Sequence, residues 1–181
     1  MTREEALAIV RPRFSNANLF KHVLAVEAVM RELAEHFQQD VEQWGLIGLL
    51  HDLDYEETMN QPERHTLVTE ELLKPYQLPE EIITAIKGHN NMAPRETLAA
   101  KALYAADPVT GLIVAGVLMH PERRLASVDA DFILRRFKEK SFARGADRDQ
   151  IRSCEQIGLT LPEFISLSIN GMRRIADQLG F

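Results

Sequence analysis

The sequence contains little cysteine and no long apolar run. Cys154 is the only cysteine among 181 residues, so no internal disulfide can form, and a reducing compartment is the simpler interpretation. The longest apolar run, Gly111–Met119, is far shorter than the roughly 18 residues that indicate a membrane span. Met1–Glu5 carries acidic residues and nothing typical of a signal peptide. We therefore expect a cytoplasmic protein without membrane association.

The sequence also has no excess of basic residues. Its formal net charge is −6 and its pI about 5.5. Nucleic-acid-binding domains are usually basic, so we expect a small-molecule partner rather than a nucleic acid. A chain of this length buries roughly two thirds of its unfolded surface, so it needs no disulfide or structural metal in order to fold. Any bound metal is therefore expected to serve chemistry rather than folding.

Strand patterns, repeats and flexible linkers are absent from the sequence. β-Branched residues do not alternate with polar ones over a useful length. Glycine and proline are distributed between the helical patterns instead of clustering in one segment. Apolar residues recur at spacings of three and four along the whole chain, which predicts an all-α protein. The length is that of one domain.

Helical periodicity is clearest in the first third of the chain. A helix from about Asn16 to Phe37 presents one apolar face, and His22 lies within that face. A shorter helix follows Asp40, a residue typical of an N-cap, and ends in the pair His51-Asp52. Both helices therefore place a histidine where it is expected to be buried.

Later helices carry further polar residues. The segment Asp54–Gln61 is predicted to be a loop. A long apolar helix from Glu96 to about Leu118 contains Asp107, and Pro108 lacks the backbone N–H that a helix needs, so a kink or break is expected there. The remaining predicted helices begin at Pro62, with His65, and at Pro79, with His89, and lie near Ala130–Glu139, Arg148–Ile157 and Pro162–Leu179.

Six of these polar residues invite a shared explanation. A buried imidazole or carboxylate is costly unless it is paired, hydrogen-bonded or bound to a metal. Imidazole and carboxylate ligands suit zinc, iron, manganese, cobalt or nickel, and ligands from several helices can converge in a bundle. Adjacent His51 and Asp52 could approach one ion, or Asp52 could bridge two. The six residues are His22, His51, Asp52, His65, His89 and Asp107.

The order of these residues resembles the HD superfamily of metal-dependent phosphohydrolases, in particular its HDIG-like branch. Gly48–Asp54 is similar to the family's apolar helix that ends in the His-Asp doublet. Leu103–Asp107 resembles the later helix that delivers the last aspartate. His65–Thr69 and Ile86–His89 resemble the additional histidine positions of two-metal members. The resemblance covers about residues 16–118.

The resemblance implies a helical bundle of the HD type, a metal-activated water and cleavage of phosphate esters, often in nucleotides. We expect one domain over residues 1–181, with an HD core at about 16–118 and a C-terminal helical extension at about 119–181. By the same resemblance, the ligands of a first divalent transition metal are His22, His51, Asp52 and Asp107. His65 and His89 would either ligate a second ion or line the substrate phosphate site.

Two departures from the family pattern bear on the number of ions. The common His-Asp-Ile-Gly stretch reads His-Asp-Leu-Asp here, which places Asp54 where glycine is usual. His89 is followed by Asn90, where two-metal members often carry a second histidine. We therefore expect one ion and leave a second open.

Several side chains are candidates for catalysis or substrate binding. Asp52 is expected to bind metal and to accept a proton, or Asp54 orients the attacking water. Lys101, nearly two turns before Asp107, is a candidate for binding the substrate phosphate. The basic segment Leu134–Arg144 either folds over the pocket to bind a phosphate or forms an ordinary amphipathic helix, and we slightly favour the latter.

The leading prediction is hydrolysis of a phosphate mono- or diester, in a nucleotide or a similar small molecule, by a metal-activated water. One alternative is an HD-type diiron oxygenase, since the scaffold supports oxidative chemistry in some relatives. Another is a noncatalytic metal- or nucleotide-binding sensor. A homo-oligomer is compatible with all three.

Overall fold

The computed structural model describes residues 1–139 and 141–181. Within those residues the regular secondary structure is entirely helical, which confirms the all-α prediction. The α-helices are α1 (Arg3–Val10), α2 (Ala17–His36), α3 (Val41–Leu50), α4 (Tyr55–Thr58), α5 (Leu67–Leu73), α6 (Glu80–His89), α7 (Leu98–Met119), α8 (Ala130–Phe137), α9 (Arg148–Arg152), α10 (Leu161–Arg173) and α11 (Ala176–Leu179). Short 3₁₀ turns cover Arg11–Arg13, Lys74–Tyr76, Leu125–Ser127 and Ser153–Ile157.

Three long helices begin at residues whose side chains cap them. Asn16, Asp40 and Thr97 precede α2, α3 and α7, and each accepts a hydrogen bond from a backbone N–H in the first helical turn. The predicted N-cap at Asp40 is confirmed. An additional helix that the sequence interpretation missed, α1, begins with a capping box between Thr2 and Glu5.

The longest helices, α2 and α7, form the centre of the protein. α2 packs against α3, α7 and α10, while α7 also contacts α6, α8 and α9. The hydrophobic core is continuous from Ala6 in α1 to Leu179 in α11. The C-terminal third therefore shares its core with the preceding helices.

Helix α7 is long and apolar enough, by length and composition alone, to cross a membrane. In this structure 56% of its most apolar window is buried inside the protein. Burial against other helices accounts for its apolar composition, because a helix that is hydrophobic on most sides belongs in a core.

Two predicted helix boundaries are wrong in the segment between α3 and α5. The predicted loop Asp54–Gln61 contains the single helical turn α4. The helix expected from Pro62 begins only at Leu67, because Thr66 before it adopts a left-handed backbone conformation with φ of 72°. That conformation cannot continue a right-handed helix, so the chain turns at Thr66.

Of the kink or break expected at Pro108, the break does not occur. Helix α7 runs without a break from Leu98 to Met119, with Pro108 inside it. A residue with an N–H at this position would donate to the carbonyl of Tyr104, four residues earlier. The side chain of Gln150 donates to that carbonyl instead, at 2.8 Å. A contact from α9 thus supplies the hydrogen bond that proline removes.

Candidate metal centre

Five segments of the chain deliver the six predicted histidine and aspartate side chains to one place. α2 carries His22, the end of α3 leads into His51 and Asp52, and α7 carries Asp107. His65 lies just before α5, and His89 is the last residue of α6. All six are buried or half-buried.

The first group of potential ligands surrounds His51. Nε2 of His22 lies 3.1 Å from Oδ1 of Asp107 and 3.6 Å from Oδ2 of Asp52. Nε2 of His51 lies 3.5 Å from Oδ1 of Asp52 and 3.9 Å from Oδ1 of Asp107. Donor atoms of His22, His51 and Asp107 all lie within 4.8 Å of one another. These separations allow the side chains to share one cation.

The hydrogen bonding of one histidine nitrogen in this group indicates a missing partner. Nε2 of His51 is fully buried and has no hydrogen-bond partner among the described residues. Buried polar atoms are almost always paired, so an unpaired one calls for an explanation. A divalent cation fits, because neutral imidazole and ionised carboxylate are ligands that zinc, iron, manganese, cobalt and nickel accept.

Contacts behind the rings orient the histidine nitrogens. Nδ1 of His51 donates to the carbonyl of Gly48 at 2.8 Å, which leaves Nε2 with its lone pair towards the carboxylates. The hydroxyl of Thr110 donates to the carbonyl of Asp107 and lies 3.1 Å from Nδ1 of His22, from which it can accept. Such contacts fix the tautomer and aim of metal-binding histidines.

The second group lies on the other side of Asp52. Nε2 of His65 and Nε2 of His89 are 3.1 Å apart, and they lie 3.3 and 3.4 Å from Oδ1 of Asp52. Nδ1 of His89 donates to the carbonyl of Ile86 at 2.6 Å, so its Nε2 also faces the group. Asp52 therefore lies between the two groups, as a carboxylate that bridges two ions would.

Asp54 lies behind His65. Its Oδ1 is 2.8 Å from Nδ1 of His65, and its Oδ2 accepts hydrogen bonds from the backbone N–H groups of Thr66 and Thr69 at 2.8 and 3.0 Å. The carboxylate is buried, and Asp54 is not among the described residues that line the adjoining cavity. Its contacts suit orienting His65 rather than holding a water molecule.

The metal-free site keeps its carboxylates ionised. Burial would raise the pKa of Asp52, but His51, which becomes charged only in the acidic range where Asp52 titrates, and the hydrogen bonds of His65 and His89 hold it well below its usual value. Burial likewise acts to raise the pKa of Asp107, but the hydrogen bond and charge of His22, together with the charge of protonated His51, lower it overall. Burial lowers the pKa of His51 to about 4, so its imidazole is neutral at pH 7.

Two histidines of the metal-free site favour the protonated form. Burial lowers the pKa of His22, but the hydrogen bond and charge of Asp107, with the charge of Asp52, raise it overall. Burial also opposes protonation of His65, whose hydrogen bonds to Asp52 and Asp54 raise its pKa to about 9. A cation that binds these nitrogens must displace their protons.

A cavity of about 780 Å³ opens beside both groups. Its walls include His22, Asp52, His65, His89 and Asp107, and the segment that precedes and begins α9 also lines it. The other lining residues are Leu19, Tyr55, Asn90, Asn91, Tyr104, Pro108, Gly111, Ala115, Ala143, Gly145, Ala146, Asp147 and Gln150. The volume exceeds what a phosphate group alone would fill.

The predicted substrate-binding Lys101 is not among the described residues that line this cavity. Six residues of α-helix turn through about 600°, so Lys101 projects about 120° away from Asp107 around α7. The two side chains therefore leave different sides of the helix.

The described part of the basic segment Leu134–Arg144 begins with the end of the amphipathic helix α8. Phe137 is buried, and Arg136 pairs with Glu139 at 2.8 Å, away from the cavity wall. Only Ala143 of this segment lines the cavity among the described residues, and Lys140 lies outside them. The described part of this segment therefore agrees with the interpretation favoured from the sequence, which is an ordinary amphipathic helix.

Several cavity residues were missed in the sequence. Tyr104 lies inside the stretch Leu103–Asp107 that carried the resemblance, so its position one turn before Asp107 was an available signal. Asp147 and Gln150 carried none, because they reach the cavity only through the packing of α9 against α7.

Comparison with known proteins identifies the family. Residues 19–112, just over half of the chain, match the model of the HD domain. The chain belongs to the HD domain family. The His51-Asp52 pair and the later Asp107 fall within the matched range, and the resemblance inferred from the sequence is confirmed. An HD domain is the helical scaffold of metal-dependent hydrolases, so a cation-binding hydrolase is the class in which this site belongs.

The HD region is similar to part of ribonuclease Y from two bacteria. Ribonuclease Y of Nitratidesulfovibrio vulgaris is 31% identical over 101 residues, which cover 56% of this chain and 19% of that protein. Ribonuclease Y of Desulfotalea psychrophila is 28% identical over 137 residues, which cover 73% of this chain and 26% of that protein. The chain thus spans about a fifth to a quarter of these relatives.

Proposed function

We propose that this HD-domain protein is a metal-dependent phosphohydrolase that cleaves a phosphate mono- or diester of a nucleotide or a similar small molecule. The observation that carries the proposal is the buried Nε2 of His51, which has no hydrogen-bond partner in the part of the chain that the structure describes. It faces the carboxylates of Asp52 and Asp107 beside a cavity large enough for a nucleotide-sized substrate. A site built only for stability would have no need of that space.

We assign the first divalent ion to His22, His51, Asp52 and Asp107. A second ion would take His65 and His89, with Asp52 shared between the two. When bound, a divalent cation supplies Lewis acidity that stabilises charge on phosphoryl oxygens and lowers the pKa of water from 15.7 towards about 7. Manganese, cobalt, nickel, zinc and iron all accept this ligand set.

The chain's own residues supply positioning and proton transfer. Asp52, ionised and central, can accept a proton from the attacking water. In the protein without metal, hydrogen bonds to Asp52 and Asp54 favour the protonated form of His65, whose Nε2 lies 3.3 Å from Oδ1 of Asp52. His65 can donate that proton to a phosphoryl or leaving-group oxygen as the P–O bond breaks.

A second candidate substrate is RNA. The similarity to ribonuclease Y favours it, since a ribonuclease by its name cleaves RNA. The net charge of −6 disfavours it, because binding along an RNA strand relies on basic residues. We therefore place small phosphate esters first and RNA second.

We propose a cytoplasmic location, which the buried and unpaired thiol of Cys154 supports. We keep assembly into a homo-oligomer as a proposal that is based on the sequence alone. Analytical ultracentrifugation of the purified protein tests it.

Elemental analysis tests the proposal first. Protein purified without chelators should contain one or two equivalents of a transition metal, and the His51→Ala/Asp52→Ala double variant should lose it. The exposed His36→Ala serves as the matched control, with its metal unchanged. Absence of metal from the wild-type protein, even after incubation with manganese, cobalt, nickel, zinc or ferrous iron, would contradict the proposal.

Turnover assays then separate the alternatives. The metal-loaded protein is presented with nucleoside phosphates and with short RNA oligonucleotides, and release of phosphate or of shorter RNA is measured. Hydrolysis that stops in the double variant supports the phosphohydrolase. Oxygen-dependent oxidation with iron would instead indicate the oxygenase, and tight metal or nucleotide binding without turnover would indicate the sensor.

A further inference from the structure

A tyrosine of the cavity wall is stacked on an arginine. The guanidinium carbon of Arg95 lies 3.9 Å from the centre of the Tyr104 ring. Nη1 of Arg95 donates to the carbonyl of Gly88 at 2.8 Å and to Oδ1 of Asn91 at 2.7 Å. These bonds hold the guanidinium in place, so one face of the Tyr104 ring is already covered.

The backbone beneath Tyr104 is held in place by a second contact. Its carbonyl accepts the hydrogen bond from Gln150, and the surrounding helix α7 is continuous. The side chain is half-buried and lines the cavity that contains the ligand candidates. Tyr104 precedes Asp107 by three residues, a spacing that places two side chains on the same helix face. The ring therefore lies beside the potential metal ligands.

The cavity next to this ring is not filled by large side chains. Gly111 and Ala115 continue the same lining surface of α7 beyond Pro108, and Gly145 and Ala146 line the facing segment. A planar group attached to a phosphate could therefore enter beside Tyr104. Asn90 and Asp147 line the same cavity; Nδ2 of Asn90 donates to the carbonyls of Pro62 and His65, and Oδ1 of Asp147 caps α9, so both side chains are held in place.

We propose that Tyr104 is the platform on which the base of a nucleotide substrate stacks, with Arg95 fixing the ring from behind. This inference rests on the proposed function and narrows its substrate class to phosphate esters that carry a nucleobase. Every base has a π face, so aromatic stacking favours nucleotides over base-free phosphate esters. The cation on the far face draws electron density from the ring and strengthens its contact with an electron-rich base.

Binding measurements test the platform separately from turnover. We would titrate the manganese-loaded protein by calorimetry with the 5′-monophosphates of adenosine, guanosine, cytidine and uridine, and with ribose 5-phosphate. The wild-type protein should bind at least one of the four nucleotides about tenfold more tightly than ribose 5-phosphate. If none of the four binds more tightly than ribose 5-phosphate, the proposal is overturned.

Variants of Tyr104 test whether this side chain causes the preference for nucleotides over ribose 5-phosphate. Tyr104→Phe should keep the preference, whereas Tyr104→Ala and Tyr104→Leu should lose about tenfold in nucleotide affinity and leave ribose 5-phosphate within about twofold. Leu preserves apolar volume if Ala fails to fold. The half-exposed Tyr76→Ala, outside the cavity, is the matched control and should bind every ligand as the wild type does.

The two proposals fail in different ways. Loss of the proposed function would show as base-dependent binding without hydrolysis of any phosphate ester. Failure of the platform would show as hydrolysis of nucleotides and ribose 5-phosphate alike, or as Tyr104→Leu and Tyr104→Ala variants that keep the full preference for nucleotides.

Discussion

The side chain of Gln150 donates a hydrogen bond to the backbone carbonyl of Tyr104, 46 residues earlier in the chain. This is the carbonyl that Pro108 leaves without its helical donor. The bond ties α9, in the C-terminal extension, to the turn of α7 that precedes Asp107. The extension thus completes a helix that carries a ligand of the proposed metal.

Gln150→Leu should destabilise the protein by about 1–2 kcal/mol, because it removes the donor and leaves a partly buried carbonyl without a partner. Urea unfolding measures the change. The control is the same substitution in a Pro108→Ala background, where the N–H of alanine restores the helical bond. We expect Gln150→Leu to cost clearly less there. An equal cost in both backgrounds would show that the two residues are not coupled.

Asp52→Ala should remove most of the bound metal and of the activity while helical content stays largely intact. Asp52 contacts both groups of potential ligands, so no other single side chain replaces it. Elemental analysis and circular dichroism provide the two readings. The exposed Asp131→Ala is the control, with metal unchanged. Full metal and full activity in Asp52→Ala would contradict the assignment of the site.

Asp54→Asn should lower the pKa of His65 in the metal-free protein. The hydrogen bonds of Asp52 and Asp54 raise that pKa from 6.5 to about 9, and the substitution removes one of the two charges. NMR titration of the histidine ring measures it. If a second ion binds through His65, affinity for that ion should also fall, by about 10- to 100-fold, as expected when the group that orients a ligand is lost.

The same pair makes the stability of the metal-free protein depend on pH. The folded pKa of His65 exceeds its ordinary value, so its contribution to stability is fully present below pH 6.5 and is lost as the pH rises through about 9. Urea unfolding at several pH values should show this loss in the wild type and a smaller one in Asp54→Asn. Identical pH profiles would mean that Asp54 does not stabilise the imidazolium.

Gly48→Ala should destabilise the protein, because a Cβ at this position would lie 2.8 Å from Cα and 2.9 Å from the backbone nitrogen of Glu27. Backbone cannot move aside as a flexible side chain can, so α2 and α3 must separate, at a cost of about 1–3 kcal/mol. Gly111→Ala is the matched control. No described atom lies within 4 Å of its added Cβ, and alanine in a helix should stabilise by up to about 1 kcal/mol. Thermal unfolding of both variants should therefore shift in opposite directions.

Much of the site could be predicted from the sequence because its signals are local. Periodicity of three and four placed His22 on a buried helix face, and the adjacent His51-Asp52 pair ended a helix whose N-cap, Asp40, was also visible. The order of these residues and Asp107 carried the family resemblance. Each of these inferences depends on residues within a few helical turns.

What the sequence by itself determined was the helical class, the HD family and the residues gathered around Asp52. Tertiary structure alone decided that α7 continues through Pro108 and that the carboxylate of Asp54 contacts Nδ1 of His65. It also decided that the start of α9 lines the cavity. The physical reason is that periodicity reports which face of a helix is buried, whereas a hydrogen bond such as that from Gln150 depends on how distant helices pack together.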